Sequence, residues 1–464
     1  MYTIDFSKPC RAYFVGIGGI SMSGLALILK NEGFDVSGSD RDRSDVTDKL
    51  ESEGIKVFYG QKAENISGDT DVAVLTAAIR PDNPEYLEIE RLGIPHITRA
   101  QLLGQIMRNY GLSVGISGTH GKTTTTSMIS EILMAAGTDP TISVGGMLPS
   151  IGGNIRIGAR DYFVTEACEY TNSFLDLFPD IALILNVEED HLDFFKDLDD
   201  IRSSFRKFAS LVPGKGTLII NSMIEDTDYF TEGLACNVVT FGKNDPSKEI
   251  PDYTADNISF DEAGHPSFDV VIRGEKAFGL SLSVPGEHNV LNALAAAAFA
   301  DAAGVDRGKT IGALNGFRGT DRRFQYKGVL SGGATLIDDY AHHPTEIRTT
   351  LKAALSVKHR DLWVVFQPHT YSRTKAFFDD FADALSMADK VVLADIYAAR
   401  EKDDLGVSSL LLSEAVKKRN TESYYFKNFE EIADFLRKNC QEGDLLITMG
   451  AGDVYKIGDM LLKE

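Results

Sequence analysis

Short apolar runs alternate three times over with amphipathic helices, and two glycine-rich turns each follow such a run and open a helix. These features predict an α/β protein of three consecutive domains. Length points the same way: 464 residues exceed what one hydrophobic core serves, and domains of about 150 residues give three. With 43% hydrophobic and 25% charged residues and no repeat or low-complexity tract, the chain has the composition of one that folds throughout.

The first domain is placed at residues 1–104. There "RAYFVGI" (11–17) reads as a strand, "SMSGLALILKNEG" (21–33) as a helix closed by Gly33, and "FDVSGSD" (34–40) as a second strand. "DVAVLTAAI" (71–79) and "IPHIT" (94–98) continue the pattern as a Rossmann-like parallel sheet. In "GIGGISMSG" (16–24), Gly16, Gly18 and Gly19 let the backbone approach a diphosphate, although the third glycine of GxGxxG is replaced by Ser21. Asp40, near the end of the second strand, stands where the ribose-binding acid of a dinucleotide site falls. A nicotinamide, another nucleotide diphosphate and a purely structural tight turn all suit these glycines.

The second domain is placed at 105–320. "VGISGTHGKTTTT" (114–126) looks like a phosphate loop but carries Ile116 where Walker's pattern asks for glycine. Gly118 and Gly121 let the backbone wrap anionic oxygens, and the helix read over 123–136 adds its N-terminal dipole. Lys122 supplies a charge for the β/γ oxygens and Thr123 a hydroxyl for Mg²⁺, with Thr119, His120 and Thr124 completing the cradle. "DYFVTEA", "IALILNV" and "GTLIINS" follow as buried strands, so the expected fold is a P-loop ATPase-type α/β domain.

Two motifs after these strands, "TEACEY" and "NVEEDHLD", place Glu166, Glu169 and His191 toward the phosphates. Carboxylates suit Mg²⁺, whereas imidazole is an unusual ligand for so hard an ion, and by composition Glu188 to Asp193 also reads as a solvated helix start. "NISFDEAGHPSFDVVIRG" and "GLSLSVPG" read as antiparallel hairpins. In "PGEHNVLNALAA", Asn289 and Asn292 share a helix face from which side-chain amides can read an adenine edge, with helix capping the competing use.

The third domain is placed at 321–464, again Rossmann-like, with strands at "ATLIDDYA", "DLWVVFQP", "KVVLADIY" and "DLLITMGAG". At its junction "GFRGTDRRFQ" presents Arg322 and Arg323, suited to a transferring γ-phosphoryl group or simply to surface charge. "IDDYAHHP" and "FQPHTYSRT" bring Asp338, Asp339, His342, His343, His369 and Arg373 to the strand ends where ligands collect, which suggests carboxylate or amine handling. A Pro-terminated surface loop is the other reading.

A net charge of −21 argues against nucleic acid and anionic membrane as partners. Cys10, Cys168, Cys236 and Cys440 have neither CxxC nor metal-ligand spacing, as expected of reduced thiols in a cytoplasm. No charged-then-apolar leader and no run of about 18 apolar residues is evident, so a soluble cytoplasmic protein without membrane insertion is expected.

In chain order, "GIGGISMSGLA", "SGTHGKTTTT", "EACEY", "NVEEDHLD", "EHNVLNALAA", "GFRGTDRRFQ", "DDYAHHPTEI", "FQPHTYSRT" and "MGAGD" resemble the motifs of the Mur ligase family over nearly the whole chain. The family's loop has the form GTxGKT, which residues 118–123 match, so the absent Walker glycine is a family trait. The resemblance implies an N-terminal domain holding a UDP sugar, a central ATPase, and a C-terminal domain receiving the amino acid. ATP, Mg²⁺, UDP-N-acetylmuramate and L-alanine are the implied cofactors and substrates.

It further implies that Gly16, Gly18 and Gly19, with Ser39 and Asp40, serve the UDP sugar, and that Glu169 and Tyr340 face substrate. Thr123, Glu166 and His191 would hold Mg²⁺, Asn289 and Asn292 would face adenine, and one arginine of the Arg322/Arg323 pair would reach the γ-phosphate. His342, His369 and Arg373 would line the place where alanine meets the nascent bond. Two departures stand out: Cys168 where relatives often carry aspartate in "EADE", and Thr370 where many carry arginine.

The expected chemistry is attack of the lactyl carboxylate on the γ-phosphorus, giving an acyl phosphate that the amine of alanine then displaces. His342 and His369 are both candidates to take the amine's proton. The rivals are a related ligase that adds a preformed peptide to the same sugar in cell-wall recycling, a nicotinamide-dependent oxidoreductase, and a nucleotide-gated binding protein.

Overall fold

The computed structural model describes residues 2–463 apart from 77, 78, 193, 400 and 404. Its chain divides into two units: Met1–Val187 with Arg202–Ile220 and Asp226–Val239, and Glu188–Ile201 with Asn221–Glu225 and Thr240–Glu464.

In the first unit a five-stranded parallel sheet runs in the order Lys56–Tyr59, Asp35–Asp40, Arg11–Val15, Val72–Leu75, His96–Thr98. Val72–Leu75 is buried along its whole length, as a strand covered on both faces must be. The strand expected over 71–79 is shorter than its apolar run, because the Ile79 amide turns back to the Thr76 carbonyl at 3.2 Å; Ala77 and Ala78 lie outside the described residues. Helix Ile20–Asn31 buries Met22, Leu25, Ala26, Ile28 and Leu29 against the sheet, one residue ahead of its expected start. From Arg11–Val15 the chain passes to the two strands on one side, Asp35–Asp40 and Lys56–Tyr59, and then crosses to Val72–Leu75 on the other, so the end of Arg11–Val15 is the topological switch point where a crevice opens, at Gly16.

A second sheet in this unit runs Thr217–Asn221, Ile181–Ile184, Leu112–Ser117, Tyr162–Glu166, Thr141–Leu148, Gly153–Arg156, parallel except for the last pair. Leu112–Ser117 is again the middle strand, and the loop that leaves it starts helix Lys122–Ala136, closed by left-handed Gly137. Thr141–Leu148 and Gly153–Arg156 were not expected from sequence, since paired glycines and polar residues interrupt their apolar pattern. The two sheets are joined by helix Arg99–Met107, which packs on the segment Tyr170–Asp176 so tightly that a Cβ on Gly104 would collide with the Asp176 carbonyl.

The second unit begins with the antiparallel strands Tyr253–Phe260, Pro266–Ile272 and Glu275–Ser281, with helix His288–Ala302 packed by its Val290 and alanine face. The third strand ends at Ser281, so most of the expected run "GLSLSVPG" leaves the sheet. A six-stranded sheet follows in the order Gln325–Val329, Thr335–Asp339, Leu445–Met449, Leu362–Phe366, Lys390–Leu393, Glu422–Tyr425; only the first strand is antiparallel. Asp339, Gln367 and Gly450 therefore emerge at one edge. Among the described residues no helix is long and apolar enough to cross a membrane.

Gly104→Val is expected to destabilise the chain by about 1–3 kcal/mol through overpacking. The effect should appear as a lowered thermal midpoint, while Gly68→Val, which meets nothing within 4 Å, should leave the midpoint unchanged.

Candidate active site

The glycine–lysine loop is shaped by two left-handed glycines. Gly118 has φ +143° and a Cβ there would lie 2.9 Å from the Leu185 side chain; Gly121 has φ +84° and caps the helix without a side-chain bond. No acidic residue occupies the first turn of helix Lys122–Ala136, so its leading amides form an anion-seeking end. Asn186, at the end of the neighbouring strand, braces the loop: its Oδ1 accepts from the His120 amide at 2.7 Å and its Nδ2 donates to the His120 carbonyl at 3.0 Å. Sequence reading missed Asn186, whose only signal is a lone amide ending the apolar run "IALIL".

Lys122 Nζ donates to both Glu169 oxygens at 3.0 Å, to the Gly118 carbonyl, and to the Thr119 carbonyl at 3.2 Å. Burial acts to lower its pKa, but the charges of Glu169, Cys168 and Glu166 outweigh burial and raise it. Glu169 thus holds the loop's lysine. Burial pushes the Cys168 thiol up. Glu166 lies at the end of its strand with Oε1 accepting from the Gly145 amide at 2.6 Å, and the Thr123 hydroxyl is buried in the first helical turn. Two oxygen donors of this kind suit a hard cation that takes its remaining ligands from phosphate and water; among the described residues no group of three or more His, Cys, Asp or Glu side chains is placed to hold a metal alone.

At the first sheet's edge the amides of Gly16 and Ile17 donate to the Ser39 carbonyl at 2.9 and 2.8 Å. Asp40 turns inward onto the loop itself, accepting from the Gly18 amide at 2.8 Å and the Arg41 amide at 2.7 Å. The Ser39 hydroxyl donates to buried Glu85 at 2.5 Å, which also accepts from Tyr13 and Asn65. Glu85 is a second residue that spacing did not reveal.

In the second unit, Arg373, His369 and His342 converge. Arg373 Nη2 pairs with Asp190 at 3.1 Å, and its Nη1 lies 3.4 Å from His369 Nδ1. The His369 ring stacks on Tyr397 at 5.6 Å and meets His342 edge-on at 5.9 Å. His342 Nδ1 faces the Tyr340 carbonyl at 3.0 Å, so it carries the hydrogen and Nε2 is left as the acceptor nitrogen; His369 Nδ1 faces a guanidinium, which assigns its hydrogen to Nε2. Burial, with Arg373 adding, outweighs Glu346 and pulls His342 to about 4; burial and then Arg373 pull His369 to about 4. Burial acts to raise the Asp190 carboxyl, yet Arg373, His191 and His343 hold it below the usual range.

His191 itself has φ +54° and lies beside Asp190, in the same unit as these groups. Asp193, which closes its motif, lies outside the described residues. Asp190 and Glu346 escaped the sequence reading because their part depends on partners distant along the chain. His343, expected at the ligand edge, instead caps helix Pro344–Leu355 by accepting from the Thr345 amide at 3.3 Å, and packs on Phe377.

The arginine pair divides. Arg322 Nε pairs with buried Asp338 at 2.9 Å and its Nη2 donates to the Gly450 carbonyl at 2.6 Å, whereas Arg323 lies beside Asp339; both guanidinia lie over the Tyr340 ring, at 5.0 and 5.2 Å. Burial pushes Asp339 up to about 6 against the pull of Arg323. Asn289 and Asn292 are buried together, Asn292 Nδ2 donating to Asn289 Oδ1 at 3.0 Å and Asn289 Nδ2 to the Pro285 carbonyl at 2.7 Å.

Three α/β sheets, with an anion-seeking glycine–lysine loop on the middle one and a guanidinium–imidazole cluster on the last, define an α/β protein built to handle anionic groups. Family descriptions match as the Mur ligase family, catalytic domain over residues 11–111, the Mur ligase middle domain over 116–300, and the Mur ligase, glutamate ligase domain over 322–452. The chain belongs to the Mur ligase family. It is 58% identical to the UDP-N-acetylmuramate–L-alanine ligase of Lachnospira eligens, covering 100% of each chain. Among solved structures it is similar to the UDP-N-acetylmuramate-alanine ligase of Thermotoga maritima, with 31% identity, a TM-score of 0.82 and 98% of each chain covered. It is also similar to a murein peptide ligase of Psychrobacter arcticus, with 25% identity, a TM-score of 0.72 and 98% of each covered.

The depressed imidazoles make a pH prediction. Between about pH 6.5 and 4 the folded chain binds fewer protons at His342 and His369 than the unfolded chain, so stability falls as pH falls through that window. Thermal midpoints at pH 7 and pH 5 should differ more for the wild type than for His342→Gln or His369→Gln.

Proposed function

We propose that the chain joins L-alanine to the lactyl carboxylate of UDP-N-acetylmuramate, converting ATP to ADP and phosphate, as a cytoplasmic enzyme of peptidoglycan precursor synthesis. The observation that carries this reading is the 58% identity, over the whole of both chains, with a relative named for that reaction. On this reading residues 1–104 hold the UDP sugar, 105–320 bind ATP, and 321–464 receive the amino acid.

The lactyl carboxylate attacks the γ-phosphorus; an O–P bond forms and the β,γ bridging O–P bond breaks, releasing ADP. Lys122, the amides of the Gly118–Thr124 loop and one arginine of the Arg322/Arg323 pair neutralise the charge that develops. Thr123, Glu166 and His191 would hold Mg²⁺, which would supply further neutralisation of phosphate oxygens. Asn289 and Asn292 present amide edges to adenine. Gly16, Gly18, Gly19, Ser39 and Asp40 shape the UDP-sugar loop.

The uncharged amine of alanine then attacks the acyl carbon; a C–N bond forms, the C–O bond to phosphate breaks, and His342 Nε2 takes the amine's proton. Arg373 receives alanine's carboxylate, held in place by Asp190, with His369 and Tyr340 lining the same pocket. Similarity to a peptide ligase is lower in identity and TM-score than to the alanine ligase, which favours the single amino acid.

ADP release with ATP, Mg²⁺, UDP-N-acetylmuramate and each amino acid in turn tests the reading: alanine should drive turnover, and a tripeptide driving it instead would overturn the assignment. Lys122→Ala should lower kcat by at least about 100-fold with the fold intact by circular dichroism. The arginine pair should separate in two readouts. The arginine that reaches the γ-phosphate should lower kcat when changed to alanine, and Arg322→Ala should in addition cost about 2–4 kcal/mol of stability by stranding buried Asp338.

A further inference from the structure

Arg99 opens helix Arg99–Met107 directly after the last strand of the five-stranded sheet, at the carboxyl edge that also carries Gly16. Thr98 and Gln101 cap that helix reciprocally and fix where the side chain departs. Arg99 Nη1 donates to Ser21 Oγ at 3.1 Å. Ser21 belongs to the first turn of helix Ile20–Asn31, which has no acidic residue there and no side-chain bond at its Gly19 cap.

Farther along, Gly104 seats the same helix on the Asp176 carbonyl, at the end of the segment that begins immediately after Glu169. Lys122 donates to Glu169, the residue that leads into that segment. Burial pulls the Arg99 pKa down, and the Cys168 thiol is the acidic group that acts against the fall. Among the described residues no carboxylate pairs with this guanidinium; its hydrogen-bond partner is a neutral hydroxyl. A half-buried cation so placed is an incomplete arrangement, because taking a charge from water is unfavourable until an anion completes it.

We propose that Arg99 binds an oxyanion of the UDP-sugar substrate, between the glycine loop after Val15 and the segment that Glu169 leads into. The inference rests on the UDP-sugar reading above and adds to it a residue that none of the glycine motifs contains. Two groups of that substrate have the required chemistry, the diphosphate and the lactyl carboxylate, and each offers paired oxygens that accept the planar guanidinium fork.

Titration calorimetry of the full chain with UDP, UDP-N-acetylglucosamine and UDP-N-acetylmuramate, with ATP as a separate ligand, tests it. Arg99→Ala should bind UDP-N-acetylmuramate about 10- to 100-fold more weakly than wild type. ATP affinity and thermal midpoint should hold, and Arg99→Lys should recover part of the loss. Weakening confined to UDP-N-acetylmuramate assigns the lactyl carboxylate, and equal weakening of all three UDP ligands assigns the diphosphate. Unchanged affinity in Arg99→Ala overturns the proposal, as does a parallel loss of ATP affinity that Arg99→Lys leaves unrepaired. Wild-type protein that binds none of the three overturns the functional reading and this inference with it, whereas wild-type binding that neither substitution alters overturns this inference alone.

Discussion

A parallel strand covered on both faces can offer polar chemistry only where its backbone leaves the sheet, and this chain meets that constraint three times in the same way. Arg11–Val15, Leu112–Ser117 and Leu445–Met449 are interior strands of their sheets, each flanked on both sides by parallel neighbours. Each is followed at once by a glycine at positive φ: Gly16 at +79°, Gly118 at +143° and Gly450 at +145°. A side chain at Gly118 would strike Leu185, and one at Gly450 would lie 2.7 Å from the Gln367 carbonyl, so both the turn and the close approach require glycine. Carboxylates, imidazoles and guanidinia then gather beside those exits because nowhere else along a covered strand can they be hydrated or paired.

Crowding charge at a covered edge is stable only when each charge is answered. Lys122 is answered by Glu169, Arg373 by Asp190, and Arg322 by Asp338, all pairs with little exposure. Such pairs are weak evidence of stability, since desolvation offsets much of their attraction, but removing one partner strands the other. Their geometry has a consequence for binding. An anion that reaches Lys122 competes with Glu169 for the same ammonium, so the loop exchanges one negative partner for another instead of acquiring charge in a dry site.

How far the sequence could be read follows from which interactions are local. Fully buried strands such as Val72–Leu75 and Leu362–Phe366 announce themselves as continuous apolar runs, and the Gly-Lys-Thr loop is legible because its mechanism demands those residues in that order. Edge strands were invisible: Gln325–Val329 and Glu422–Tyr425 are half polar because one side faces solvent, and Gly153–Arg156 is too short for a period to show. "DVAVLTAAI" was read too long because composition does not reveal where an amide turns back. The partners Asn186, Asp190 and Glu85 could not be named, since each is an ordinary polar residue until folding brings it, respectively, to His120, Arg373 and Ser39.

The same physics that depresses the two imidazoles bears on the amine chemistry proposed for that pocket. An ammonium is no nucleophile; its proton must leave before the nitrogen can attack. Burial beside Arg373 disfavours a cation strongly enough to bring both His342 and His369 to about 4, and an α-ammonium held there meets the same penalty. On the proposed reading, such a pocket would shift alanine toward its neutral form while Arg373 holds the carboxylate. A weakly basic His342 is sufficient under those conditions, because the proton it receives comes from a nitrogen that becomes acidic as the C–N bond forms. The nearby Glu346 carboxylate, 3.2 Å from His342 Nδ1, already offsets part of the burial that lowers the ring, so His342 takes a proton only from a nitrogen made acidic as the C–N bond forms.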